Sequence, residues 1–503
     1  MAQIIDDISR TFDEFLLLPG LSTKQHIPNN VSLRVPLARY KRGEQPRAAL
    51  NLPFVSAAMQ AVSGPRLATS LARKGGASFI FCSQSVESQV EMVKSVKEHK
   101  AGFVESDSNL APSATLADAL AMRKRTGHST IAITEGGQRR SKLLGLLTSK
   151  DYWEFKDDLS KPITEYYTPV ERLIMGQDGI SLSEATDLLW KAKKECLPII
   201  DKRGNLHSLV FRRDYFDHKS NPYELTDGRK RLFVGAAIST HDYKQRGPAL
   251  VEAGADALCV DSSDGYSEWQ CEATRYLRKE IGPRLVIGGG NVVTAEAFNY
   301  LVQEAQVDFV KVGIGGGSIC ITRGQKGLGR GQASALMAVA EARDKYFKES
   351  GIYVPICSDG GLNHDVQIIM ALAMGADFVM MGKYFAMTEE SPSNKISIGG
   401  RLYKQYWAEG SNRARNWQRY HEGGSGNLVF EEGIDGCVPY SGPLAEKVDL
   451  SVAKIKSTMC NTGALSIEEL HQKAVLTRVS SMTLVESGTS NVEQFDRVQG
   501  VRE

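Results

Sequence analysis

"DFVKVGIGGGSICITR" occupies residues 308–323. An aspartate opens it, an apolar run follows, and a glycine run then leads to a cysteine between two isoleucines. Continuous rather than alternating apolar residues point to a strand buried on both faces, as in parallel α/β sheets. Seven more runs share this design: "LPFVSAAM" (52–59), "GASFIFC" (76–82), "RLFVGAAI" (231–238), "DALCVDSSDG" (256–265), "RLVIGGGN" (284–291), "VPICSDGG" (354–361) and "DFVMMGKYFA" (377–386). Helix-length segments separate most of them. One begins at Thr294, an N-cap residue type, and places Phe298, Leu301, Val302 and Ala305 on one face. "EAGAD", "EAQVD" and "AMGAD" each precede a strand, as one αβ turn used three times. Eight β units with intervening helices predict an α/β fold, a (β/α)8 TIM barrel, in preference to a doubly wound sheet.

The second and third runs stand too far apart for an ordinary connection. Residues 85–99 can supply the helix after strand two. Beyond it, "TLADALAMRKRTGHSTIAIT" (115–134) is echoed by "SLSEATDLLWKAKKECLPII" (181–200). A duplicated helix–strand–strand unit predicts an inserted domain over 101–222, dividing a barrel that spans 1–100 and 223–503. The repeat resembles a tandem pair of cystathionine-β-synthase-type (CBS) modules. That resemblance implies a regulatory purine nucleotide, with Thr148 and Asp151 at ribose-contacting positions; closing local turns is their plainer role. Residues 387–442 are far too long for a βα loop and rich in glycine, which predicts a mobile flap over the catalytic face.

A net charge of +2 over 503 residues gives no electrostatic case for nucleic acid or a membrane surface. No stretch reaches the roughly 18–20 apolar residues of a membrane span. The N-terminus is acidic and amphipathic, unlike a targeting peptide. Eight scattered cysteines without a CxxC read as free thiols in a reducing, cytoplasmic setting.

Barrel enzymes place their chemistry at the C-terminal ends of the strands. Asp261, Ser262, Ser263, Asn291, Ser318, Cys320, Asp359, Gly360, Gly361 and Gly382 should therefore converge. "GIGGGS" is no dinucleotide fingerprint, because serine stands where the last glycine is needed and no acidic partner closes a later strand. Its glycines permit close backbone approach to a phosphate or an ion. Cys320, on a glycine-flanked loop at the mouth, reads as a nucleophile. Cys259 and Cys357, within apolar runs, read as core.

Taken together, "GIGGGSICITR" (313–323), "SDGG" (358–361), "DSSDG" (261–265), "GGGNVVT" (288–294) and "RY" (419–420) resemble the IMP dehydrogenase/GMP reductase family, and its inosine-5′-monophosphate (IMP) dehydrogenase branch in particular. The resemblance covers nearly the whole chain. It implies NAD-dependent oxidation of IMP to xanthosine 5′-monophosphate through a thioimidate on Cys320, a step toward guanine nucleotides (GMP). Arg419, Tyr420 and Thr322 match the residues that activate water. Ser56, Met59, Ser318, Asp359, Gly360, Gly361, Gly382, Lys383, Tyr406, Glu409, Gly410 and Glu432 match the IMP contacts. Asp261, Ser262, Ser263, Asn291, Gly313, Ile314 and Gly315 match the NAD+ side. A potassium ion would lie on the carbonyls of Gly315, Gly317 and Cys320. Its site would be completed by Glu486, Ser487 and Gly488 of a neighbouring subunit in a homotetramer. "SAAMQAVS" (56–63), "YWAEGS" (406–411), Arg323 and Glu432 depart from the commonest pattern, leaving inhibitor sensitivity and the adenosine end of NAD+ open. GMP reductase, lacking the Arg-Tyr pair, and a catalytically silent nucleotide sensor are the rival readings.

Overall fold

The computed structural model describes residues 4–5, 7–99, 103–104, 106–126, 128–212, 221–228, 231–414 and 430–486. The chain divides into two compact units, one of residues 1–97 and 233–503, the other of residues 98–232.

The first unit is built on a closed parallel barrel of eight strands. These are β1 (Phe54–Ser56), β2 (Ala77–Ile80), β3 (Gly235–Ile238), β4 (Ala257–Val260), β5 (Val286–Val292), β6 (Phe309–Val312), β7 (Ile356–Asp359) and β8 (Phe378–Met381). Each falls inside one of the eight apolar runs, except that β5 extends one residue past its run, to Val292. The circle closes where Met381 of β8 pairs with Ser56 of β1. Helices α1 (Pro65–Lys74), α2 (Val86–Lys97), α3 (Tyr243–Glu252), α4 (Glu268–Ile281), α5 (Ala295–Gln303), α6 (Gln332–Ser350) and α7 (Asp365–Ala373) connect the strands. Thr294 caps α5 by accepting from the Ala297 amide, and Phe298, Leu301, Val302 and Ala305 are buried.

Aromatic rings fill the barrel. Phe79 of β2 and Phe309 of β6, on opposite sides of the circle, have centroids 5.9 Å apart, and Phe309 meets Phe378 of β8 at 5.5 Å. Small residues make the room. A Cβ on Gly288 would stand 2.0 Å from the Phe309 ring, and one on Gly235 would stand 2.6 Å from Phe79. The repeated turn also has a physical role. Asp256, Asp308 and Asp377 each accept, at 2.8 Å, the amide of a residue at the start of the preceding strand unit: Val234, Ile287 and Ile356. These aspartates lock strand to strand at the barrel's N-terminal face, away from the mouth.

The second unit contains two four-stranded sheets. Helix Leu116–Thr126 accompanies strands Thr130–Thr134 and Leu143–Thr148; helix Leu182–Ala192 accompanies Cys196–Ile200 and Leu206–Phe211. Ala132, Leu143 and Leu146 of one repeat share a hydrophobic cluster with Leu206 and Leu209 of the other. The unit runs to Leu232 rather than ending at 222. Residues beyond 222 are held by the Thr226↔Leu232 bridge and the Asp227–Arg231 ion pair, and β3 starts only at Gly235.

The long segment after β8 is not loop throughout. β9 (Lys395–Ile398), β10 (Arg401–Trp407) and β11 (Asp435–Pro439) form an antiparallel sheet. Between β10 and β11, residues 415–429, with Arg419 and Tyr420, lie outside the described residues.

Candidate active site

At the C-terminal ends of the strands lies a cavity of about 220 Å3. Its wall includes the loop from Gly313 to Cys320, the residues after β4 (Asp261, Ser262, Ser263), Asn291 of β5, Asp359–Gly361 at the end of β7, and Gly382 and Lys383 after β8. Met59, Thr322, Tyr406, Glu409, Gly410 and Glu432 complete the predicted set that lines it. Ser56 does not. Its side chain is fully buried, with the hydroxyl 2.6 Å from the Ser63 hydroxyl, so β1 directs it away from the mouth.

Glycine is required at two points of the loop. Gly313 has φ +139, and a Cβ there would fall 2.1 Å from the Asp359 carbonyl oxygen. Gly360 has φ +94 and packs on the Gly316 backbone; the Gly361 amide then donates to the Gly316 carbonyl at 2.8 Å. The two strand ends are thereby stitched together. Beneath them Gln332 of α6 donates to the Val312 carbonyl at 2.8 Å and the Ser358 hydroxyl at 3.2 Å.

Cys320 sits where this loop meets the sheet. It forms a bridge with Gly433, flanked by Ile321 N–H to the Glu432 carbonyl (2.9 Å) and Ile434 N–H to the Ile319 carbonyl (3.1 Å). Its Sγ lies 3.1 Å from Thr322 Oγ1, which donates to Glu432 Oε2 at 3.2 Å. Glu432 Oε1 pairs with Lys326 at 2.7 Å. A thiol, a hydroxyl and a carboxylate thus stand in series, a geometry suited to moving a proton. The two cysteines within the barrel strands differ. Burial pushes the Cys259 thiol up to about 12 and the Cys357 thiol well above its ordinary value, so both stay protonated and inert.

Opposite the sulfur, Asp359 Oδ2 accepts from Asn291 Nδ2 at 3.0 Å, and the same nitrogen donates to the Gly313 carbonyl at 2.6 Å. Asn291 Oδ1 is buried and has no hydrogen-bond partner among the described residues, an acceptor available to a bound donor. Lys311 is 2% exposed, with its ammonium 2.8 Å from Asp261 Oδ1 and 3.4 Å from Asp359 Oδ2. Burial alone would discharge it. The Asp261 and Asp359 charges outweigh that cost and hold it well above the usual lysine value.

Tyr406 of β10 is buried beside Met59, its hydroxyl 4.0 Å from the methionine sulfur; burial raises its phenol, and a bond with Ser318 opposes the shift. A Cβ on Gly382 would fall 2.7 Å from that hydroxyl. Glu409 accepts from the Gln60 amide at 2.6 Å, which ties the sheet to the loop after β1. Among the loop carbonyls, those of Gly315 and Cys320 accept no hydrogen bond among the described residues, and that of Gly317 accepts only from the Cys320 amide. Glu486 is exposed at the end of helix Ser481–Glu486; Ser487 and Gly488 lie outside the described residues.

Residues 9–490 match the profile of the IMP dehydrogenase / GMP reductase domain. The chain belongs to this family. Inosine-5′-monophosphate dehydrogenase from Tritrichomonas foetus is 51% identical, with 99% of each chain covered. The Aquifex aeolicus enzyme of the same name is 37% identical over 96% of this chain and 95% of its own. Among solved structures, a cysteine-to-alanine variant of GMP reductase from Trypanosoma brucei in complex with guanosine 5′-monophosphate superposes with a TM-score of 0.80. It is 30% identical, with 97% of this chain and 98% of that chain covered. Membership in the IMP dehydrogenase / GMP reductase family agrees with the barrel and with a cysteine at its mouth. Two lysines are not evident from the strand ends: Lys311, which lines this family member's mouth, and Lys326, which pairs with the mouth residue Glu432. Lys311 left a signal, a lysine inside an otherwise apolar strand. Lys326 left none, since its run "RGQKG" reads as a solvated turn.

Proposed function

We propose that the chain is an IMP dehydrogenase, oxidising IMP to xanthosine 5′-monophosphate by covalent catalysis at Cys320. The observation that supports this most directly is the Cys320–Thr322–Glu432 series, set across one cavity from Asp359. The sulfur of Cys320 adds to C2 of the purine. Loss of the C2 hydride leaves a thioimidate on the sulfur, and water cleaves it to the xanthine. Asp359, facing the cavity with carboxylate oxygens, is suited to the two ribose hydroxyls. Ser318, Gly361, Gly382 and Lys383 form the phosphate cradle, and Met59 packs on the base.

NAD+, when bound, supplies the hydride acceptor. Asp261, Ser262, Ser263, Asn291 and Gly313–Gly315 would hold its nicotinamide end, where the orphaned Asn291 Oδ1 offers an acceptor. Lys311 stands between Asp261 and Asp359 and holds both carboxylates in place. The carbonyls of Gly315, Gly317 and Cys320 have the hard oxygen chemistry that suits potassium. Arg419 and Tyr420 act in the hydrolytic half-reaction. Thr322 and Glu432 offer a proton path out of the site.

GMP reductase is the second reading, favoured by the likeness to the GMP-bound Trypanosoma brucei structure over nearly the whole chain. One assay separates the two. Reduced nicotinamide should appear with IMP, NAD+ and potassium, and should not be consumed with GMP and NADPH. Consumption with GMP and no formation with IMP would reverse the assignment.

A further inference from the structure

The three turn aspartates at the N-terminal face of the barrel do not have equal surroundings. Asp256 pairs with Lys97 at 2.5 Å, and Asp377 with Arg343 at 3.2 Å. Asp308 is fully buried and gathers three arginines. Arg47 lies 2.6 Å from Oδ1, Arg39 3.7 Å from Oδ1, and Arg278 bonds to Oδ2. One carboxylate cannot neutralise three guanidiniums. The cluster keeps a net positive charge, and two of its arginines, Arg39 and Arg47, reach the wall of a cavity of about 390 Å3. That volume lies within the about 300–1,000 Å3 typical of small-ligand sites. Arg39, Lys41 and Arg47 line it, with Tyr40, Tyr346 and Gln303. Glu44 is the one carboxylate of that lining and offsets Lys41.

Arg39 is the least satisfied member. Its only ion pair among the described residues is the 3.7 Å approach to Asp308, beyond hydrogen-bond length. Its guanidinium is lowered from the usual value, first by burial; Asp308 opposes that shift, while Arg278 and Arg47 add repulsion. Such an arrangement is what a bound anion would relieve.

We infer that this cavity is a second binding site, outside the mouth, for a small anion bearing phosphate groups. Arg39 and Arg47 would supply charge-assisted bonds to its oxygens, with Tyr346 and Gln303 as the polar and aromatic wall. The site stands on the opposite face of the barrel from Cys320, so it does not depend on the reaction proposed above.

Calorimetric titration of the full-length protein with inorganic pyrophosphate tests it. Arg39→Gln should weaken one class of binding about 10-fold or more, while turnover is unchanged. The same variant, in anion-free buffer, should melt no lower than the parent, since repulsion is removed. Arg39→Met, which keeps the packing of the stem, serves the same purpose should the glutamine variant fold poorly. Competition by ATP that is lost in Arg39→Gln identifies a nucleoside-borne phosphate as the occupant; no competition identifies the free inorganic anion. Isotherms identical in the parent and both variants would place all pyrophosphate at the mouth and overturn the inference. A lower melting temperature with unaltered binding would make Arg39 a structural partner of Asp308 alone.

Discussion

The barrel strands themselves carry two thiols besides Cys320 on its loop, and surroundings rather than residue type separate them. Cys259 and Cys357 are buried within strands, where the thiolate is expelled. Cys320 is half-exposed on a loop with a hydroxyl at 3.1 Å. Cys320→Ala should therefore still bind IMP, because the phosphate and ribose contacts need no sulfur. It should form no reduced nicotinamide even in a single turnover, as read by rapid-mix absorbance. A stoichiometric burst would exclude the covalent step. Lys447 provides a test of electrostatics away from the site. It lies 4.3 Å over the Tyr384 ring and donates to the Tyr384 carbonyl at 2.8 Å; burial lowers it from 10.5 to about 8. Below about pH 8 both states hold the proton, and the folded state bears the full cost of the charge. Between about 8 and 10.5 the unfolded chain binds more proton, so stability rises with pH. Urea unfolding should show this rise in the parent relative to Lys447→Met. Parallel pH profiles for the two would contradict it.

Individual elements divide into those written plainly in the sequence and those that are not. The eight barrel strands were legible because double-sided burial demands continuous apolar runs, and those of β4–β8 lead into the polar residues that line the mouth. Ser56 misled for the same reason. In a three-residue strand a serine at the end can turn to Ser63 as easily as to the mouth, and spacing does not distinguish the two. The sheet of β9–β11 was not legible either. β10 has the sequence "RLYKQYW", whose Lys404 is buried although charged, its ammonium held by the Ser391 carbonyl at 3.0 Å. Alternation is lost when a charge is placed inward and satisfied there. This sheet nonetheless bears on the proposed chemistry, since the residues leading into β11 pair with the Cys320 loop. A Cβ on Gly433 would stand 2.1 Å from Ala408 Cβ. Gly433→Val must push the two apart, at a cost of about 1–3 kcal/mol in stability. Cys320 would shift with the strand, and kcat should fall about 10²-fold, the scale of a 1 Å misplacement. A kcat at the parent level in a folded Gly433→Val protein would show that this bridge does not position Cys320.

At the scale of the whole molecule, the order of the chain and the order of the barrel differ by one long excursion. Residues 98–232 separate α2 from β3, yet β2 and β3 are neighbours, with Phe79 paired to Gly235 and Ile80 to Ala236. The two ends of the excursion are also tied to one atom. Asp256 Oδ2 pairs with Lys97 at 2.5 Å, where the chain leaves, and accepts the Val234 amide at 2.8 Å, where it returns. The gap is therefore the size of an ordinary αβ turn, which normally takes about 2–6 residues. Among the described residues, no strand of the barrel and no residue lining the mouth comes from the excised unit. A variant with residues 98–232 replaced by a short Gly/Ser linker should fold and keep turnover within about 3-fold, because termini this close tolerate rejoining. Any response of turnover to purine nucleotides acting through Thr148 and Asp151 should vanish with the unit. Steady-state assays with and without added nucleotide on both proteins read the two effects separately. A folded deletion variant with no turnover would mean that catalysis requires the inserted unit. A nucleotide response that survives the deletion would place the regulatory site on the barrel.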